Sequence, residues 1–207
     1  MKRKRPLSRD GKTLRSSRLV VIASEDTHAV QQYFDFFRAK RVQFKVLSTD
    51  GGNSSPKDVL ARLVQFKREF DLNETDDQLW LVTDSDHWIN PGHIANLTRV
   101  VQECKSHNIQ VAMSCPCFDL WLLLHFADAP DPNVKHSCDD IGGMIRAEVG
   151  SYNKTKVFNL PIKMTCVGNA IQRAKAMDPQ GPILTSCGTE VFKIIEELVE
   201  SKIIQIE

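Results

Sequence analysis

The sequence predicts an α/β fold: a mostly parallel sheet flanked by helices, with a helical extension toward the C-terminal end. Three observations carry this. Strand-like runs alternate with helical repeats from residue 19 to residue 114, the connections between them are short, and no linker or internal repeat interrupts them. After residue 115 only helical spacing continues.

Each element follows from its residues. "LVVIAS", 19–24, is a continuous β-branched run and predicts a strand covered on both faces. "DTHAVQQYFDFFRAKR" then sets Val30, Tyr33, Phe34 and Phe37 at helical spacing. "VQFKVLST", 42–49, alternates apolar and polar, as a more edge-like strand does. The "GGNSSP" stretch is a loop, with Ser54 or Ser55 able to cap a helix carrying Pro56 in its first turn. Val59, Leu60, Leu63, Phe66 and Phe70 line one face of that helix. "QLWLVTD", 78–84, is the third strand, 92–108 the third helix and "IQVAMS", 109–114, the fourth strand. "PCFDLWLLLHF" is apolar all round, which predicts a helix buried against the sheet. A Pro- and Asp-rich loop follows, and helical patterns occupy roughly 139–149, 167–177 and 189–201. Residues 1–17 are thus read as a basic arm and 18–207 as one domain, with a core over about 18–126 and a helical cap over about 127–207.

Composition narrows the function classes. No apolar run approaches the roughly 18 residues that span a membrane. The basic start has no apolar segment behind it, so a cytoplasmic protein with reduced thiols is expected. The six cysteines include no CxxC pair, and the set Cys115, Cys117, His125, His136 and Cys138 matches no structural zinc spacing. The net charge of +1 is unevenly spread. Lys2, Arg3, Lys4, Arg5, Arg9, Lys12, Arg15 and Arg18 oppose a single acid, Asp10, which puts +7 on the arm and −6 on the remainder. A basic arm ahead of an acidic body suits contact with a phosphate backbone, although a solvated terminus has the same composition.

Acids recur at predicted strand ends. Glu25 follows strand one, Asp84 and Asp86 end strand three, and Asp119 follows strand four. In a parallel sheet these ends lie at one edge, where ligands bind. Clustered carboxylates repel and resist burial, and a hard cation such as Mg²⁺ relieves both penalties. Each acid also has a bland reading: Asp84 as an Asx-turn, Asp86 or Asp26 as a helix cap, Glu25 as a first-turn acid. His125 ends a hydrophobic run, either as a core histidine or as a general base. Trp80, Trp88 and Trp121 read as core, with Trp88 the one placed to stack on a base.

Several stretches together resemble the RloB family. They are "KRKRPLSR", "VVIASED" followed by Tyr33 and Phe34, "LWLVTDSD", the long "SCPCFDLWLLLHF", "SYNK" and "TSCGTEVFKIIEEL". The resemblance implies a Toprim-like (Rossmann-like) core and a metal-dependent nuclease acting on DNA or RNA, in bacterial anti-phage defence beside an ATPase partner. Carried over, Glu25 is general acid/base or metal ligand, and Asp84 and Asp86 bind Mg²⁺ or Mn²⁺. Asp119 stands at the family's glutamate position and joins them as a metal ligand; His125 and Lys154 are catalytic candidates. Two other readings compete: a subunit that holds nucleic acid or an ATPase without cutting, and a nucleotide phosphohydrolase using the same acids. "GGNSS" lacks the Lys-Ser/Thr ending of a phosphate loop, which argues against an NTPase.

Overall fold

The structure is a computed structural model and describes residues 17–26, 28–37, 42–47, 49, 54–72, 75–179, 181–201 and 204–205. Of the basic arm, Lys2, Arg3, Lys4, Arg5, Arg9, Lys12 and Arg15 lie outside the described residues. The elements run β1 (Arg18–Ser24), α1 (Ala29–Asp35), β2 (Val42–Leu47), α2 (Pro56–Glu69), β3 (Gln78–Asp84), α3 (Ile94–Ser106) and β4 (Gln110–Cys115). Then come α4 (Asp119–Leu123), α5 (Cys138–Val149), a 3₁₀ helix (Lys154–Asn159), α6 (Met164–Ala176), β5 (Gly188–Thr189) and α7 (Phe192–Glu200). The expected α/β architecture is present.

The strands lie in the order β2-β1-β3-β4-β5, the first four parallel and the two-residue β5 antiparallel to β4. Strand parity sorts the core. Val20, Ile22, Trp80, Val82 and Ala112 face α1 and the helices from α4 onward. Leu19, Val21, Ala23, Leu79 and Leu81 face α2 and α3. Both central strands are therefore buried on both sides, as their unbroken apolar runs require. The helices after residue 126 share the first of these cores.

Helix ends follow local chemistry. Ser55 caps α2 by accepting from the Asp58 N–H, with Pro56 in the first turn. Asp26 caps α1 from outside it: one carboxylate oxygen accepts from the backbone N–H groups of His28, Ala29 and Val30. Ser137 and Asp140 close a capping box on α5. Three expectations are corrected. The segment from Gly188 begins with a strand instead of a helix, because Ser114 and Cys115 offer it a free edge. Lys154–Asn159 forms a 3₁₀ helix where no element was expected. Cys117 and Cys138 form a disulfide, against the expectation of reduced thiols; their Cα atoms stand 5.9 Å apart, within ordinary bridging range.

Candidate functional site

The chain reverses direction across the sheet between β1 and β3: β2 lies outside β1, and β4 lies beyond β3. Such a switch point opens a crevice at the carboxyl edge. Glu25 and Asp84 stand on either side of it, one residue past β1 and at the last residue of β3. The register pairs Ser24 with Val82, which brings the Glu25 side chain level with the end of β3. Its Oε1 accepts from the Thr83 hydroxyl and, at 2.8 Å, from the Asp84 N–H. Its Oε2 accepts from the Trp88 indole N–H at 3.3 Å.

Asp84 is held from the other side. Its Oδ1 accepts from the Phe118 N–H at 2.8 Å, which ties β3 to the "PCF" turn before α4. Asp86 lies in the turn beyond the strand. Its Oδ1 accepts from the His87 N–H at 2.7 Å, and the Cys138 sulfur lies 3.3 Å from its Oδ2. Asp86 does not cap the following helix, as its bland reading had it: α3 starts at Ile94 with His93 at its N-cap and no side-chain cap bond. His87 is exposed and its ring stands 3.7 Å from Asp86.

A second group adjoins the first. The Lys154 ammonium lies 3.5 Å from Asp26 Oδ2, and its charge acts on Asp84 and Asp119 as well. Asp119, the first residue of α4, is buried, and its Oδ1 has no hydrogen-bond partner. The Tyr152 phenol lies beside it and eases the burial of its charge, yet the hydroxyl stops short of a formed hydrogen bond.

Burial pushes the Glu25 carboxyl above the usual carboxylate range, and the bonds from Thr83, Asp84 and Trp88 oppose the rise without cancelling it. Asp84 is driven well above that range, by burial first and by the Glu25 charge second. Lys154 and the Phe118 N–H pull it back only in part. Asp119 is raised by burial, against Lys154 and Tyr152. Burial works against the Lys154 ammonium, but Asp119, Asp84 and Asp26 outweigh it and raise its pKa. The edge is therefore an acid cluster short of positive charge, with one lysine supplying part of it.

The donors are carboxylate oxygens, the ligand type Mg²⁺ and Mn²⁺ take. Asp84 and Asp86 with Glu25, and the orphaned oxygen of Asp119, fit such a cation in chemistry. Their present geometry is not a finished cage. Among the described residues no three His, Cys, Asp or Glu side chains are grouped closely enough to hold a metal ion.

Two expected site residues stand elsewhere. His125 is buried in the core. Its Nδ1 donates to the Trp121 carbonyl at 2.9 Å, and its Nε2 accepts from the Tyr33 hydroxyl at 3.1 Å. A carbonyl only accepts, so the proton is on Nδ1 and both nitrogens are occupied. Burial pulls its pKa down to about 4. That is the core-histidine reading. Arg18 begins β1, at the opposite edge of the sheet from Glu25, roughly 20 Å away along the strand. There it meets Glu197 at 3.7 Å and the Ser201 hydroxyl at 3.4 Å. Thr83 and Tyr152 were not anticipated as site residues, and Trp88 was anticipated only as a residue that could stack on a base. Only the "SYNK" stretch pointed near one of them.

A family model described as RloB-like protein matches residues 20–198. The chain belongs to the RloB-like family. The RloB-like match takes in Glu25, Asp84, Asp86, Asp119 and Lys154, and leaves out the basic arm and Arg18. No curated protein and no solved structure matches the chain. Among the described residues no helix is long and apolar enough to cross a membrane.

Proposed function

We propose that this RloB-like protein is a nuclease of the Toprim type, dependent on Mg²⁺ or Mn²⁺, that hydrolyses DNA or RNA phosphodiesters in anti-phage defence. One observation carries the reading: Glu25 and Asp84 stand on adjacent strand ends at the switch point, burial raises the cost of ionising both, and the Glu25 charge adds to that cost at Asp84. Such a pair gains most from a bound cation, and a polyanionic substrate brings cations with it. Asp84 and Asp86 would hold the ion, with Asp119 joining them once its unpartnered oxygen has a ligand. When bound, the ion supplies positive charge to a phosphate oxygen and acidifies its water.

The chain's own groups do the rest. Glu25, whose pKa burial raises above the usual carboxylate range, is suited to move a proton to or from the reacting oxygens. Thr83, the Asp84 N–H and Trp88 fix its carboxylate in place. Lys154 presents a fixed charge for a non-bridging phosphate oxygen. Asp26 anchors that ammonium while capping α1. His125 has no part in this chemistry. The basic arm would add sequence-independent contact with the phosphate backbone.

A second reading, a subunit that binds nucleic acid or an ATPase partner without cutting, draws on the incomplete metal cage. One assay separates the two. Single- and double-stranded DNA and RNA are incubated with the protein and with Asp84→Ala/Asp86→Ala, in Mg²⁺, Mn²⁺ or EDTA. Cleavage by the native chain that needs metal and vanishes in the variant is the expected outcome. Cleavage surviving in EDTA or in the variant sinks the metal site; binding without cleavage in every metal supports the second reading.

A further inference from the structure

Trp88 is only partly used by the chemistry above. Its indole N–H serves Glu25, while the ring also lines a cavity of about 400 Å³ between the first turn of α2 and α3. The floor of this cavity is apolar, with Leu97 and Val100 both buried. Its rim carries two exposed cations, Lys57 and Arg99, and one acid, Glu103. Among the described residues neither cation forms an ion pair. Both helices begin at the carboxyl edge of the sheet, so the cavity opens beside the acid cluster, with a single indole between them.

We infer that this cavity takes one unpaired nucleotide of a nucleic-acid strand, its base against Trp88 and its phosphate between Lys57 and Arg99. The volume falls within the range of single-ligand sites, far below that of a duplex groove. An indole face stacks on any base, and Lys and Arg at a rim meet phosphate oxygens. A base paired inside a duplex cannot enter such a pocket without leaving its stack. The strand would then pass over the Trp88–Glu25 contact onto the acids. This rests on the nucleic-acid reading above and sharpens it: the substrate is single-stranded, or locally unpaired at the cut.

The test uses the full chain in EDTA, so that nothing is cut, with three probes: a short single-stranded oligonucleotide, its blunt duplex and a nucleoside 5′-monophosphate. Trp80 and Trp121 are buried, so quenching of tryptophan emission reports on Trp88. Quenching by the single strand is expected, and its loss in Trp88→Phe assigns it. Lys57→Ala/Arg99→Ala should weaken single-strand binding at least about tenfold, the worth of one charge-assisted hydrogen bond. It should also reduce the slope of log K against log salt by about 0.7, the release of counterions from one phosphate. Both side chains are exposed, so an unchanged melting temperature confirms that the variant folds. Absent quenching, unchanged affinity in the double variant, or duplex binding as tight as single-strand binding would overturn the inference. A monophosphate that binds as tightly as the strand would make the ligand a free nucleotide and overturn the strand assignment. Cleavage in metal is scored separately. Cutting without quenching removes this pocket alone, and quenching without cutting removes the nuclease reading alone.

Discussion

Acid should unfold this protein in part through His125, and the size of the effect follows from its surroundings. The imidazole is buried at 3% exposure, neutral, and has its only free lone pair facing the Tyr33 hydroxyl. Protonation would place a second N–H against that O–H and a charge among Trp121, Phe126 and Tyr33. The folded pKa is about 4 against an ordinary 6.5. The unfolded state thus binds the proton first, and stability is fully present above about pH 6.5 and lost as pH falls. The loss works out to about 2 kcal/mol at pH 5 and about 3 kcal/mol at pH 4. In His125→Asn the amide nitrogen can still donate to the Trp121 carbonyl, but the Tyr33 hydroxyl loses its acceptor. That should cost about 1–3 kcal/mol at neutral pH. Urea unfolding of both proteins from about pH 7 to pH 4 should show that gap closing as the native protein loses what the variant never had. A gap that stays constant across the range, or an NMR titration placing His125 near its ordinary pKa, would refute the reasoning. A metal-dependent cleavage activity should survive this variant after correction for folded fraction.

Two further outcomes concern the acids. Asp84→Asn keeps an acceptor for the Phe118 N–H and removes the charge, so it should raise the melting temperature at neutral pH in metal-free buffer. Because the folded pKa of Asp84 is raised, the native protein's penalty is absent below about pH 4 and grows as pH rises, by at most about 1.4 kcal/mol per unit. Scanning calorimetry at about pH 4 and pH 8 checks this at about 2–4 °C per kcal/mol; a variant no more stable at the higher pH contradicts it. Lys154→Met removes the cation shared by Asp26, Asp84 and Asp119, and should slow cleavage about 10²–10³-fold. Single-turnover kinetics measure it, and a variant that cuts at the native rate would take Lys154 out of the site.

What the sequence made legible was set by short-range chemistry. The runs at 19–24 and 78–84 announced strands buried on both faces because nothing polar interrupts them, and that alone put Glu25 and Asp84 at strand ends. Asp26 as a cap was likewise a matter of two to four residues. The contacts that separate candidate site residues from core residues span the chain. Trp88 meets Glu25 across 63 residues, and Tyr33 meets His125 across 92. No periodicity encodes which of two histidine nitrogens will be met by a hydroxyl from another helix. Charge was legible and its place was not: Arg18 counted toward a basic arm, yet the strand it starts carries the acids at its far end. Arg18 itself, at the far end of β1, stands too far from Glu25 to share one phosphate with it. A short oligonucleotide bound at the pocket by Trp88 would then not need Arg18.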